Sequence, residues 1–265
     1  MDKKIFKSYW HRKKDYQITP AEKVKRLILG DSHAVYGVYT EHRTPYTFNA
    51  AEISADLFTI FHIGKSCLAK FPNLEQIVCV YSPYFNGFDL SKCSEKWRCV
   101  CLRLALGVPL RKLPLRILAR IFRKMIINAW PDSYTGNAYG WVAPSDFWPT
   151  AIQRAEGHYR LATKYGKAEL AYLSKLKELC EKTKKSLLVV FPPARKDYKE
   201  VIDNLMGGGG DIFQSFYDEF GQDIPVLDLY HCDLFTDLDF GDIDHMNKQG
   251  AVKMAELIEN YWEKK

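Results

Sequence analysis

The sequence predicts an α/β protein whose helices cover both faces of a mainly parallel, five-stranded sheet. Three observations predict this. Five short apolar runs are each closed by glycine, proline or a polar turn. Helix-length amphipathic stretches separate most of them. The composition, 47% hydrophobic and 26% charged over 265 residues, suits a globular core. Strands buried on both faces read as continuous apolar runs, and strand–helix alternation implies parallel crossovers in a three-layer α/β/α arrangement.

The elements follow in order. Lys23 to Gly30 ends in Leu-Ile-Leu-Gly, a buried strand feeding a tight turn. Tyr46 to Asn49 is a second short strand. Ile53 to Lys70 carries Ile53, Leu57, Ile60, Phe61, Cys67 and Leu68 on a largely apolar helical face. Gln76 to Ser82 is the third strand. The rhythm then changes: residues 90–148 hold helical pieces, many aromatics and Pro109, Pro114 and Pro131, and are read as an insertion over one end of the sheet. One long helix is expected from Trp148 to Lys184. Ser186 to Phe191 is the clearest strand, stopped by Pro192-Pro193. One or two helices follow, then a strand at Pro225 to Leu229 and a final amphipathic helix from Lys248 to Lys264. No linker composition intervenes, so residues 1–265 are read as a single domain, with 1–22 as a solvated basic arm.

The formal charge of +6 would attract anions, but no nucleic-acid motif accompanies it. The first twenty residues lack the apolar run of a signal peptide, and no stretch approaches the roughly 20 apolar residues of a membrane span. A cytoplasmic location with seven reduced cysteines is expected. Cys93, Cys99 and Cys101 match no zinc spacing, and no cofactor or metal is expected.

Sites in open parallel sheets form at the carboxyl ends of strands. Four segments lie there: Gly30 to His33, Asn49 to Ser54, Ser82 to Gly87 and Asp242 to His245. Ser32 follows a strand and a glycine at the start of a helix, where its hydroxyl can be exposed and its own N–H faces the same space. Taken alone, it reads better as a helix N-cap. His245 alters that balance, because a serine needs a base and the base needs an orienting group. Asp242, three residues before His245, can supply it; Asp244 is the rival and also reads as a cap for the last helix.

Leu27-Ile-Leu-Gly-Asp-Ser-His33 resembles the first sequence block of the SGNH/GDSL hydrolases, and Asp242-Ile-Asp-His245-Met-Asn-Lys-Gln-Gly-Ala251 resembles their last. The resemblance implies a flavodoxin-like SGNH fold with Ser32, Asp242 and His245 as a triad. It also implies oxyanion donors after strands two and three. The matching positions are Ser54, with Asn49 nearby, in Phe48 to Ser54, and Asn86 in Ser82 to Gly87, although neither segment keeps the family's wording. Asn86-Gly87 reads equally well as a plain turn.

The implied activity is that of an ester hydrolase or acyltransferase working through an acyl-Ser32 intermediate. A further likeness to SGNH-like proteins associated with bacterial surface polysaccharides points to a small-molecule or carbohydrate ester, most specifically an O-acetyl sugar. Trp97, Trp130, Tyr134, Tyr139, Trp141 and Trp148 in the insertion suit a sugar ring, but most of them fit a core better. Residues 110–126 form a basic amphipathic stretch that would allow weak membrane-surface contact, or serve as a lid with a solvated basic face. The competing reading is a catalytically silent SGNH-fold protein that binds a glycan or a partner.

Overall fold

Alternate residues of the central strands feed opposite cores, which is why their apolar runs are unbroken. The computed structural model describes residues 3–40, 46–111, 150–164 and 167–264, with a few single positions between 115 and 123. Strands β1 (Arg26–Leu29), β2 (Thr47–Asn49), β3 (Gln76–Val80), β4 (Ser186–Phe191) and β5 (Val226–Asp228) form one sheet ordered β2-β1-β3-β4-β5. All four pairings are parallel. Leu27, Leu29, Ile77, Cys79, Val189 and Phe191 enter one core. Ile28, Val78, Val80, Leu188 and Val190 enter the other. This period-two division is the expected consequence of helices on both faces. The architecture is a three-layer, flavodoxin-like α/β/α fold.

The first core is roofed by α3 (Leu57–Lys70) and α6 (Leu170–Lys182), which pack on each other, with Phe213 and Phe216 around α8 (Gln214–Phe220) filling its far end. α5 (Ala151–Lys164) packs on α7 (Lys196–Leu205). The second core is closed by α2 (Ser32–Gly37) and α9 (Lys248–Glu263), whose Met254, Ala255 and Ile258 lie on Ile28 and Val78. Burying a side chain such as Ile258 stabilises by about 1.5–3 kcal/mol, which fastens α9 to the cluster it shares with Ala34 and Val35 of α2 and Ile28 of β1.

Three expectations need correction. The first segment is not a solvated arm: α1 (Lys3–Ile18) packs on α4 (Arg98–Leu106), with Tyr9 and Arg12 buried. The Arg12 guanidinium donates to the Asn49 and Ala51 carbonyls at 2.7 and 2.9 Å. A basic side chain can be buried when its donors are satisfied, and three-residue spacing puts Tyr9 and Arg12 on one helical face. The expected long helix is two, α5 and α6, with Lys167–Glu169 in a turn between them; Gly166 in the sequence disfavours a continuous helix there. Finally, α3 begins at Leu57 and not near Ile53, because the Asp56 side chain caps it by accepting the Thr59 N–H at 2.9 Å.

Most of the 90–148 insertion lies outside the described residues, including Trp130 to Trp148 and more than half of the basic stretch 110–126. Arg111 at its start is drawn inward, bonding both Glu169 oxygens at 2.9 and 3.0 Å and pairing with Asp89. Among the described residues, no helix is long and apolar enough to cross a membrane.

Candidate active site

Gly30 ends β1 with φ +150°, and an added Cβ would lie 2.6 Å from the Ala34 Cβ and 2.9 Å from the Val80 carbonyl. Only glycine lets the chain turn this tightly between β1, α2 and β3. The turn sits where strand order reverses between β1 and β3, the usual place for a site in such sheets. Asp31 caps α2, its Oδ1 accepting the His33 N–H at 2.9 Å. The cap role therefore belongs to Asp31, and the Ser32 hydroxyl, at the first helical position, is released from it.

The second contributor is a short loop closed by the antiparallel bridge of Phe240 with Met246 and by the Gly241 N–H bonding the His245 carbonyl at 2.9 Å. Asp242 Oδ1 accepts the backbone N–H groups of Asp244 and His245 at 3.0 and 2.8 Å, which fixes its carboxylate. Its Oδ2 lies 2.8 Å from His245 Nδ1, and His245 Nε2 lies 2.9 Å from Ser32 Oγ. Asn247 caps α9 by accepting the Gly250 N–H, so neither Asp242 nor Asp244 is spent as its cap. Ser32, Asp242 and His245 thus form one line of hydrogen bonds, each residue buried. Such a line can move a proton from the hydroxyl to the imidazole while the carboxylate steadies the ring.

Asp244 faces the other way. Its Oδ2 accepts from His33 Nε2 at 3.0 Å, whereas its nearest approach to His245 Nδ1 is 3.6 Å. Arg154 on α5 directs Nε at both Asp244 oxygens, each at 2.9 Å. His33 Nδ1 lies 2.8 Å from Ser82 Oγ, which donates to Asp31 Oδ1 at 2.8 Å, and the Tyr84 hydroxyl donates to the other Asp31 oxygen. Burial works against a charged His33, but Asp31 and Asp244 outweigh it and raise its pKa to about 10. Burial also opposes ionised Asp31 and Asp244, and their cationic and hydrogen-bonding neighbours reverse that, holding both below the usual carboxylate range. Asp31, His33, Asp244 and Arg154 make a charge-balanced cluster directly behind the Ser32–His245 pair. The His33 and His245 rings stack at 5.1 Å. His158, which meets the Tyr198 hydroxyl at 2.8 Å, is driven by burial down to about 3 and stays neutral.

Of the further candidate residues, none joins this line. The Asn49 side chain is used at both ends, donating to the Ala34 carbonyl at 3.0 Å and accepting the Ala51 N–H at 3.0 Å. It ties β2 to α2. Ser54 adopts φ +59°, the left-handed region that favours glycine, and its hydroxyl bonds Glu95 at 2.5 Å. The Asn86 Oδ1 is buried without a hydrogen-bond partner among the described residues. Gly87 is needed for close packing, since a Cβ there would sit 2.3 Å from the Ala162 carbonyl of α5.

The reading from sequence missed His33, Arg154 and His158. His33 stands inside the quoted motif, and its type was the available signal; Arg154 and His158 carry no local one. His33, Asp244 and His245 offer ligand atoms within 4.8 Å of one another. Arg154 already places a positive charge on that carboxylate, which favours an ion-pair network over a bound cation.

No family model matches the chain, and a search of curated proteins finds no relative. Among solved structures, the chain is similar to a Streptococcus pneumonia protein provisionally described as a platelet activating factor. The two share 11% identity at a TM-score of 0.43, over 97% of this chain and 91% of that one.

Proposed function

We propose that the protein is a serine-dependent ester hydrolase or O-acyltransferase of the SGNH/GDSL type, acting on a small acyl group through an acyl-Ser32 intermediate. The observation that carries this reading is the unbroken line Asp242–His245–Ser32, with contacts of 2.8 and 2.9 Å. His245 Nε2 takes the Ser32 proton as Oγ attacks the acyl carbonyl, and Asp242 stabilises the imidazolium that forms. The same proton passes to the departing alcohol oxygen. Water then resolves the acyl-serine in a hydrolase, an acceptor hydroxyl in a transferase.

The oxyanion is assigned first to the Ser32 backbone N–H, because amides in the first turn of a helix have no intrahelical partner. Asn86 stays a candidate for the second donor through its amide group. Asn49 is withdrawn, since both ends of its side chain are engaged, and Ser54 could contribute only its backbone N–H. A carbohydrate O-acetyl ester is the substrate class this reading favours, on the sequence likeness alone.

The silent binding protein would be favoured by a His245 out of reach of Ser32, and 2.9 Å is within reach. Turnover of a short-chain aryl acetate tests the proposal. Wild type should hydrolyse it, and Ser32→Ala should lose about a thousandfold or more. A correctly folded wild type that turns over no short-chain ester would end the enzymatic reading.

A further inference from the structure

One donor nitrogen of Arg154 beyond Nε, Nη2, lies at the reaction centre. Its Nε is spent on Asp244, at 2.9 Å from both oxygens, which fixes the plane of the guanidinium. Nη2 lies 3.5 Å from His245 Nε2, and among the described residues no other protein acceptor meets Nη1 or Nη2. The side chain keeps 29% of its surface exposed, in contrast to the 2% of Asp244 beneath it. Asp244 is also shared with His33, so one carboxylate answers two cations.

The position of Nη2 decides which half of an ester it would meet. In acyl transfer the base nitrogen returns the serine proton to the leaving oxygen, so that oxygen must come within hydrogen-bond reach of His245 Nε2. Arg154 stands beside the same nitrogen. It therefore borders the alcohol half of the ester, or the acceptor hydroxyl in a transfer. A guanidinium held in a fixed plane, with three N–H groups beyond those that meet Asp244 and His245, matches a carboxylate or phosphate, which it can bind through two parallel bonds.

We propose that Arg154 is a specificity-determining residue that selects esters whose alcohol portion carries a negative charge, a carboxylate or phosphate close to the acylated hydroxyl. The inference rests on the hydrolase reading above and narrows its substrate to an acidic alcohol. His33 and Asp244 act on it as positioning residues: they hold the guanidinium plane and do not touch the substrate.

A matched pair of probes tests this, 3-acetoxybenzoate and its methyl ester, which differ in charge on the alcohol half and little else. Wild type should favour the acid in kcat/KM by about tenfold or more, chiefly through KM, as a charged hydrogen bond to substrate implies. In Arg154→Gln that ratio should fall to about one, with Arg154→Lys in between, since a lysine keeps the charge and loses the fork. If the glutamine variant fails to fold by circular dichroism, the lysine variant carries the test. A wild-type ratio near one, or a ratio unchanged in either folded variant, overturns the inference. The failures are distinguishable. A fluorophosphonate that labels Ser32 while the esters show no charge preference removes only the role of Arg154. No labelling and no turnover removes the hydrolase reading, and this inference with it.

Discussion

His33 Nε2 donates to Asp244 Oδ2 across 3.0 Å, which turns Asp244 away from the neighbouring His245 and leaves that ring to Asp242. Two aspartates two residues apart thus serve two different histidines. Their neutral variants should separate accordingly. Asp242→Asn keeps an oxygen for the Asp244 and His245 amides but no longer holds the imidazole as a carboxylate does. Esterase kcat should fall about 10³–10⁴-fold with little change in the urea midpoint. Asp244→Asn leaves His33 and Arg154 without their shared counter-charge, and should cost about 3–5 kcal/mol in urea unfolding. An Asp244→Asn protein as stable as wild type would contradict this division.

The same cluster sets a pH dependence of stability. His33 has an ordinary value of 6.5 and a folded value raised to about 10. Its stabilisation is complete below 6.5 and is lost as pH rises through 10. Asp31 and Asp244 are lowered from 3.8, so their contribution holds above that value and fades as pH falls beneath it. Urea titrations of wild type and His33→Gln should show a stability gap that is flat in the mildly acidic range and shrinks into the alkaline range. A gap that widens with pH would remove His33 as a buried cation.

Glu52 gives an independent check on the N-terminal helix. Burial raises its pKa from 4.5 to about 7, with Arg12 and Arg98 opposing. It pairs with Arg12 at 3.4 Å. A raised carboxyl favours folding below its unfolded value and loses that advantage as pH passes 7. The melting temperature of Glu52→Gln, relative to wild type, should therefore rise between mildly acidic and mildly alkaline buffer. A difference that stays flat over that range would show that Glu52 is ionised throughout.

Gly87→Ala tests how the loop after β3 holds α5. The new methyl would meet the Ala162 and Leu161 carbonyls at 2.3 and 2.6 Å. Backbone cannot yield as a side-chain tip does, so the loop and α5 must part, at about 1–3 kcal/mol. Because α5 also carries Arg154 and His158, calorimetry should show a lower melting temperature together with weaker catalysis. An alanine variant equal to wild type in both would argue against this packing.

The sheet was legible because each central strand is apolar on both faces, as Ile77 to Val80 and Leu187 to Phe191 show. Ser32, Asp242 and His245 were legible because each lies within a few residues of a strand end or a helix start, where local pattern is informative. Arg154 was not: it reaches Asp244 across 90 residues of sequence, and a lone arginine on an amphipathic helix has no local mark of such a partner. Tyr9 and Arg12 were hidden by the lysines around them, since composition reports the exposed face of a helix more loudly than its buried one. Asn49 misled for a different reason. Its residue type suits an oxyanion donor, but an Asn that closes a strand equally suits an Asx turn, and the bond from the Ala51 N–H makes it one, while the bond to the Ala34 carbonyl uses its amide.

The central claim is that Ser32 is an activated nucleophile. Treating the folded protein with a fluorophosphonate and mapping the adduct by peptide mass spectrometry tests it most directly. The account predicts an adduct on the peptide containing Ser32, absent in Ser32→Ala and reduced by orders of magnitude in His245→Ala. An unlabelled wild type, or an adduct on Ser82 in place of Ser32, would contradict it.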